Sequence, residues 1–261
     1  MTRLLLALLL ATPLLARAAA PNPADFAWQQ QPGATLPLTT TLHDESGRET
    51  NLAQTLASNP AHSPVILDLG YFHCPALCGI VRNDLFHALS TGGLTPGRDY
   101  TLVALSIDPA ETPQDALAAK TKDAAQSGLA PTAWHYLTGP ASSIAAITSA
   151  VGFRDRYDNR FNQFLHPAGL VILTSAGHVS SYLEGVGYTG GDLRAALLRA
   201  RSGGIARASL SILLLCFHFD PTTGHYTLEI IKVLRLMAIF TVLTIGGLIF
   251  VLHRRRPPSA P

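Results

Sequence analysis

The sequence predicts an α/β fold, a central sheet with helices on both faces, with a transmembrane helix added near the C-terminus. Three observations predict it. Between residues 63 and 201, short apolar runs alternate with segments of helical spacing. Clusters of Gly, Pro, Asp and Ser punctuate them. A charge-free apolar run of 17 residues, 236–252, lies close to the end of the chain.

Residues 36–52 read as a short hairpin. Leucines alternate with Thr and Pro up to Leu42, Asp44 to Gly47 supply turn chemistry, and the strand resumes at Glu49. Residues 65–72 are almost continuously apolar and predict a central strand. A helix follows from Cys74 and Pro75 to about Ser90, since Pro suits a first turn, and it ends before Gly92 and Gly93. Residues 100–107 predict the next buried strand, closed by Asp108 and Pro109. Thr112 and Pro113 open a helix that reaches about Gln126. Residues 133–137 predict a short strand and 142–151 another helix. Residues 170–174 and 179–183 flank Ser175-Ala176-Gly177-His178 as a hairpin, and a helix begins at Gly190, Gly191 and Asp192 and runs to about Arg201.

The two ends read differently. Arg3, an apolar stretch from Leu4 to Leu15 and the small residues around Ala18 and Ala20 form a secretory signal peptide, cleaved after either alanine. The 236–252 run is preceded by Lys232 and Arg235 and followed by Arg254, Arg255 and Arg256. Three arginines beyond it predict a cytoplasmic tail. The expected organisation is a signal peptide (1–20), an N-terminal segment with the hairpin (21–62) and the α/β domain (63–201). An apolar extension and juxtamembrane segment (202–235), the span (236–252) and a cytoplasmic tail (253–261) complete it. The domain is thereby expected on the exported, periplasmic side of the inner membrane, where cysteines meet oxidising conditions.

Composition agrees. Charged residues are 14% of the chain, against about 25% in soluble domains. Hydrophobic residues are 48% and the mean hydropathy is positive, which excludes disorder for the bulk of the chain. Nineteen Lys and Arg against seventeen Asp and Glu give no case for nucleic-acid binding. Three cysteines are too few for a disulfide scaffold.

The chemistry lies at the first strand-to-helix junction. Cys74 and Cys78 stand four apart where a helix opens, so they share one face. The partial positive charge and unpaired N–H groups of a helix start favour thiolates. Two thiolates close into a redox disulfide or grip a soft ion, for which Cu(I) is best suited. A permanent structural disulfide and inert buried cysteines are the alternatives. Among ten histidines, His166 precedes the later hairpin in Phe164-Leu165-His166-Pro167-Ala168-Gly169. It reads either as a further ligand or as a loop histidine ordered by Pro167. His73 leaves the chain in a different direction from Cys74. Asp108 and Glu111 read as loop and helix-cap residues, and Trp134 and His135 as strand residues. Cys216 and His218, two apart, share a face if extended, and with His225 they read as a second soft-metal site or as part of an apolar segment packed on the domain or the membrane surface.

The pieces Gly70-Tyr71-Phe72-His73-Cys74-Pro75-Ala76-Leu77-Cys78 and Leu105-Ser106-Ile107-Asp108-Pro109-Ala110-Glu111-Thr112-Pro113 resemble the Sco/SenC family, over roughly residues 36–201. The resemblance implies a thioredoxin-like sheet in which the His166 loop lies beside the cysteine loop. It implies copper as the bound metal and Cys74, Cys78 and His166 as its ligands. It also implies the role of a copper metallochaperone for the dinuclear copper centre of cytochrome c oxidase subunit II, or a related copper-receiving protein, with reduction of the recipient's thiols. Two departures stand out: the secure span is C-terminal, and Pro167 directly follows the histidine. The competing reading is a metal-free thiol-disulfide oxidoreductase, which has no need of His166. A peroxiredoxin-like peroxidase would want an activating Arg and Thr that the Phe72-His73-Cys74 context does not supply.

Overall fold

The computed structural model describes residues 26–58, 62–74, 77–160, 162–208, 217–220, 225–228, 237–245 and 247; of residues 77, 78, 217–220 and 225–228 it describes the backbone. The expected signal peptide (1–20), Cys216, the 253–261 tail and parts of the expected span lie outside the described residues.

A two-stranded hairpin comes first, β1 (Leu42–His43) and β2 (Glu49–Thr50), with Asp44 accepting the N–H groups of Ser46 and Arg48 to shape its turn. The expected strand through Leu52 is corrected here. Asn51 caps a six-residue helix, α1 (Leu52–Ala57), its side chain accepting the N–H of Gln54 at 2.9 Å. β3 (Val65–Gly70) follows, then α2 (Leu77–Thr91), β4 (Thr101–Ser106) and α3 (Pro113–Ser127). Thr112 and Asp115 form a capping box at the start of α3 and Gly128 closes it in the left-handed region, so its bounds match the expectation closely. β5 (Trp134–Leu137) and α4 (Ala141–Ala150) precede a hairpin absent from the sequence reading, β6 (Arg156–Asp158) and β7 (Gln163–Leu165). β8 (Gly169–Leu173), β9 (Val179–Glu184) and α5 (Gly190–Arg201) complete the domain. Thr189, one residue before the expected cap, makes the N-terminal box of α5 with Asp192.

The main sheet has the order β5-β4-β3-β8-β9. β3, β4 and β5 are parallel, and β8 runs antiparallel to β3 with Asp68 opposite Leu170. Every residue of β3, β4 and β8 is buried, as strands covered on both faces require. Ile66, Leu102, Ala104, Leu170 and Ile172 pack one face against Leu85 and Leu89 of α2, Ala116 of α3 and Leu193 of α5. Val65, Leu67, Leu69, Val103, Leu105 and Val171 pack the other against Ile144 and Ile147 of α4 and Leu52 of α1. The strand period of two sorts the side chains into these two half-cores.

Beyond the domain, β10 (Phe217–Asp220) and β11 (His225–Leu228) pair antiparallel. Residues 237–245 and 247 are helical. Met237, Ile239, Phe240, Val242, Leu243 and Ile245 are each more than half exposed. Among the described residues no helix is long and apolar enough to cross a membrane.

Candidate metal centre

The sheet topology decides what lies near Cys74. Because β3 and β8 are antiparallel, the end of β3 stands beside the beginning of β8. Cys74 follows the first by four residues and His166 precedes the second by three. Both loops therefore emerge at one end of the sheet, although 92 residues separate the two positions.

Tyr71 is the shared neighbour. Its carbonyl accepts the N–H of Cys74 at 3.4 Å, and its buried ring meets His166 edge-on with centroids 6.1 Å apart. Phe153 stacks on the imidazole with centroids 5.7 Å apart. Cys74 is half-buried and packs against the same half-core as Tyr71 and Phe164. Nδ1 of His166 lies 3.0 Å from the carbonyl oxygen of Pro167. A carbonyl only accepts, so Nδ1 carries a proton, and in the neutral ring the lone pair is on Nε2. Pro167 thus supplies the acceptor that sets the tautomer. Gly169 follows with φ +127°, where a Cβ would collide with the carbonyl oxygen of Leu183. Only glycine lets β8 pair with β9 so soon after the histidine loop.

Cys78 lies in α2, four residues after Cys74; the described helix begins at Leu77, and residues 75 and 76, beside the expected start near Cys74 and Pro75, lie outside the described residues. His73 is directed away from this centre, as expected. Its Nδ1 lies 3.0 Å from Glu111 and its Nε2 3.5 Å from Asp115. Among the described side chains no three His, Cys, Asp or Glu cluster as a metal-holding group; the Cys78 side chain is not one of them. The donor set of two cysteines and one imidazole lone pair suits a soft ion.

Glu111 corrects the reading of a cap residue. Its carboxylate is buried and accepts the backbone N–H groups of Phe72 and His73 at 2.8 and 2.7 Å, and the Ser106 hydroxyl at 2.6 Å. It clamps the turn that leads into Cys74. The true cap of α3 is Thr112, one residue on. The only hint in the sequence is an acid five residues after the last serine of a buried strand.

Asp68 is the second residue that sequence reasoning missed. It is 5% exposed within β3, and its carboxylate lies 3.8 Å from Arg82 of α2, which is itself 3.0 Å from Asp123 of α3. Tyr136 donates its hydroxyl to Asp123 at 2.8 Å. Two carboxylates share one guanidinium. Burial pushes the Asp68 carboxyl up to about 6; Arg82 and His166 pull it down, while Asp123 and Cys74 add to the rise. Asp155, half-buried, feels His166 as well, though burial holds its carboxyl above the ordinary range. Arg82 lies one helical turn beyond Cys78, so this charged cluster sits beneath the opening of α2.

A parallel-and-antiparallel sheet with cysteines where its first long strand meets a helix defines a thioredoxin-like protein with a thiol centre. The SCO1/SenC family pattern matches residues 41–197, and the chain belongs to the SCO1/SenC family. A candidate electron transfer protein from Aquifex aeolicus VF5 is 26% identical, with a TM-score of 0.57 over 66% of this chain and 95% of that one. A SCO1/SenC family lipoprotein from Bacillus anthracis str. Ames is 16% identical (TM-score 0.52, 67% and 99% covered). Arabidopsis thaliana ScoI with copper bound is also 16% identical (TM-score 0.51, 66% and 98% covered). The last two likenesses concern the fold. No curated protein matches the sequence.

Proposed function

We propose that this chain is a membrane-anchored copper metallochaperone that takes Cu(I) on Cys74, Cys78 and His166 and delivers it to the dinuclear copper centre of cytochrome c oxidase. The observation that carries the reading is the antiparallel β3–β8 pairing, which brings the cysteine loop and the His166 loop to one end of the sheet with Tyr71 between them. Family membership supports it, as does the fold likeness to a copper-bound plant relative.

Copper is cargo here. Two thiolates and the Nε2 lone pair of His166 hold Cu(I) without closing its coordination sphere, so an incoming thiolate of the recipient can add and displace ligands stepwise. Phe153 and Tyr71 hold the imidazole plane, and the Pro167 carbonyl holds its tautomer. Loading needs deprotonated thiols and releases their protons. Without copper, the same dithiol reduces a recipient disulfide. One cysteine thiolate attacks a disulfide sulfur, the other resolves the mixed disulfide, and two electrons pass to the recipient as Cys74 and Cys78 become a disulfide. An exported domain follows from the signal peptide at 1–20 and a span at 236–252. The exposed apolar helix at 237–245 is consistent with that span.

The test is Cu(I) binding by purified protein. Wild type is expected to take one equivalent on this centre. Cys74→Ser or Cys78→Ser abolishes tight binding, and His166→Ala weakens it about 100-fold or more while leaving thiol alkylation intact. Unchanged Cu(I) stoichiometry in the Cys→Ser proteins removes the metallochaperone reading. Full Cu(I) affinity in His166→Ala removes His166 from the ligand set and leaves the metal to the two cysteines.

A further inference from the structure

The end of the domain away from the cysteine centre gathers arginines. α2 runs from that centre to Thr91, and at about 1.5 Å per residue its far end lies roughly 20 Å away. There Gly92 packs backbone to backbone against Gly190 at the start of α5, and the Arg194 guanidinium donates to the Gly92 carbonyl. Arg201, which ends α5, donates to the Arg98 carbonyl and lies 3.8 Å from Asp99, which Arg98 also pairs at 2.7 Å. β8 runs away from the His166 loop, so the start of β9 lies at this same end. The chain leaves the domain alongside it, since Ala206 N–H donates to the Ser180 carbonyl at 2.7 Å. Arg199, packed on Gly204, and Arg207 flank that exit, both exposed. Among the described residues no carboxylate pairs with Arg194, Arg199 or Arg207, and Asp192 is engaged in the cap of α5.

Two large apolar side chains stand exposed among these arginines, Leu198 at 58% and Ile205 at 43%. Ile205, Arg201 and His178 also line one open cleft of about 330 Å³. We propose that this end of the domain is a membrane-docking surface, which sets its arginines among the phosphates of anionic lipids and Leu198 and Ile205 at the acyl boundary. Guanidinium groups around exposed apolar side chains suit that interface, because the long stems lie along apolar surface while the charges reach the headgroups. The net charge of the whole chain is only +2, so the attraction comes from the clustering rather than from the total. Continuity of the chain favours a membrane as the occupant: it leaves the domain at this end, and residues 209–236 join it to the exposed apolar helix at 237–245. The inference rests on the proposed membrane attachment. With this end docked, the cysteine centre at the other end of α2 faces away from the bilayer, open to its recipient.

The experiment uses the full chain reconstituted into vesicles of phosphatidylcholine, alone or mixed with phosphatidylglycerol. Leu198→Trp places a fluorescent probe in the surface, and Tyr157→Trp, an exposed position of the β6–β7 hairpin beside the cysteine centre, is the control. A nitroxide carried on the lipid headgroup is expected to quench the Leu198→Trp emission in the phosphatidylglycerol vesicles and to leave the Tyr157→Trp emission at the level of the parent chain. Added salt releases the contact, because exposed charges are screened. Arg199→Gln with Arg207→Gln, added to the probe, lowers the ratio of docked to undocked domain about 25-fold, at about fivefold per arginine, while the urea midpoint stays that of the parent. Inorganic phosphate at matched ionic strength competes no better than chloride. Displacement by phosphate assigns the arginines to a soluble anion and overturns the proposal. Equal quenching of the two probes, or quenching that is unchanged in phosphatidylcholine alone or after the arginine substitutions, overturns it as well. Resistance of the chain to alkaline extraction from the vesicles reports separately on the span at 236–252.

Discussion

Asp68→Asn removes one of two buried carboxylates that compete for Arg82. Asp123 is the nearer partner, 3.0 Å against 3.8 Å, so the guanidinium keeps a counterion in the variant. Burial raises the Asp68 carboxyl from its ordinary 3.8 to about 6. A carboxyl raised in the folded state is a stability cost only once it ionises. That cost is absent below 3.8, grows as pH rises towards 6, and is constant above it. At about 1.4 kcal/mol per pH unit, the displacement corresponds to ~3 kcal/mol. Asn keeps the shape and carries no charge. The variant is therefore expected to match wild type near pH 4 and to exceed it by up to ~3 kcal/mol at pH 8. Urea titration followed by the fluorescence of Trp28 and Trp134 reads this directly. With a slope of roughly 1–3 kcal/mol per molar urea, the midpoint at pH 8 rises by about 1–3 M. A midpoint at pH 8 equal to or below that of wild type refutes the reasoning, because ionised Asp68 would then gain more from Arg82 than its burial costs.

Arg82→Met leaves both carboxylates buried without their cation and is expected to destabilise the domain by about 3–5 kcal/mol at pH 8; adding Asp68→Asn recovers part of the loss in a urea double-mutant cycle. Glu111→Ala strips the acceptor from three donors, Phe72 N–H, His73 N–H and Ser106 O–H. It costs roughly 2–4 kcal/mol, and faster alkylation of Cys74 shows that the turn has loosened. Gly169→Ala forces a Cβ into the Leu183 carbonyl at φ +127° and lowers stability by about 2 kcal/mol or more. The His166 imidazole resonances should move with it, and unmoved resonances would show that the two loops are uncoupled.

Much of the sheet was legible because its strands are buried on both faces. Residues 65–70 and 101–106 form near-continuous apolar runs, and such runs have few competing readings. α3 was legible from Thr112, Pro113 and Asp115, which hold the helix start in place by local hydrogen bonds. α1 was not, because Asn51 follows a strand directly and a six-residue helix shows little periodicity. The β6–β7 hairpin escaped for a related reason: each strand has three residues and Arg156, Asp158 and Gln163 interrupt any apolar alternation. Of the site, the Cys74 and Cys78 positions announce themselves by their spacing at a strand-to-helix junction. His166 has only a weak local signal, its place before the later hairpin, which leaves a ligand and a loop histidine both open; its approach to Cys74 comes from a strand pairing that only the folded sheet displays, and the resemblance is what favours the ligand. Asp68 was visible as the single acid within an apolar strand, but its meaning depends on Arg82 and Asp123, which come from two different helices.

Trp28 links the first described residues to the loop that carries His166. Its indole N–H donates to the Ala168 carbonyl at 3.0 Å, its ring meets Phe153 and Tyr182 edge-on, and the neighbouring Gln29 N–H donates to Gly152 at 2.7 Å. Phe153 in turn backs the His166 ring. A proteolytic fragment trimmed beyond Gln31 would keep all five strands of the sheet yet lose the brace behind the imidazole. On the proposed reading, such a fragment keeps both thiols yet binds Cu(I) more weakly, through the loss of residues that are not among the proposed ligands.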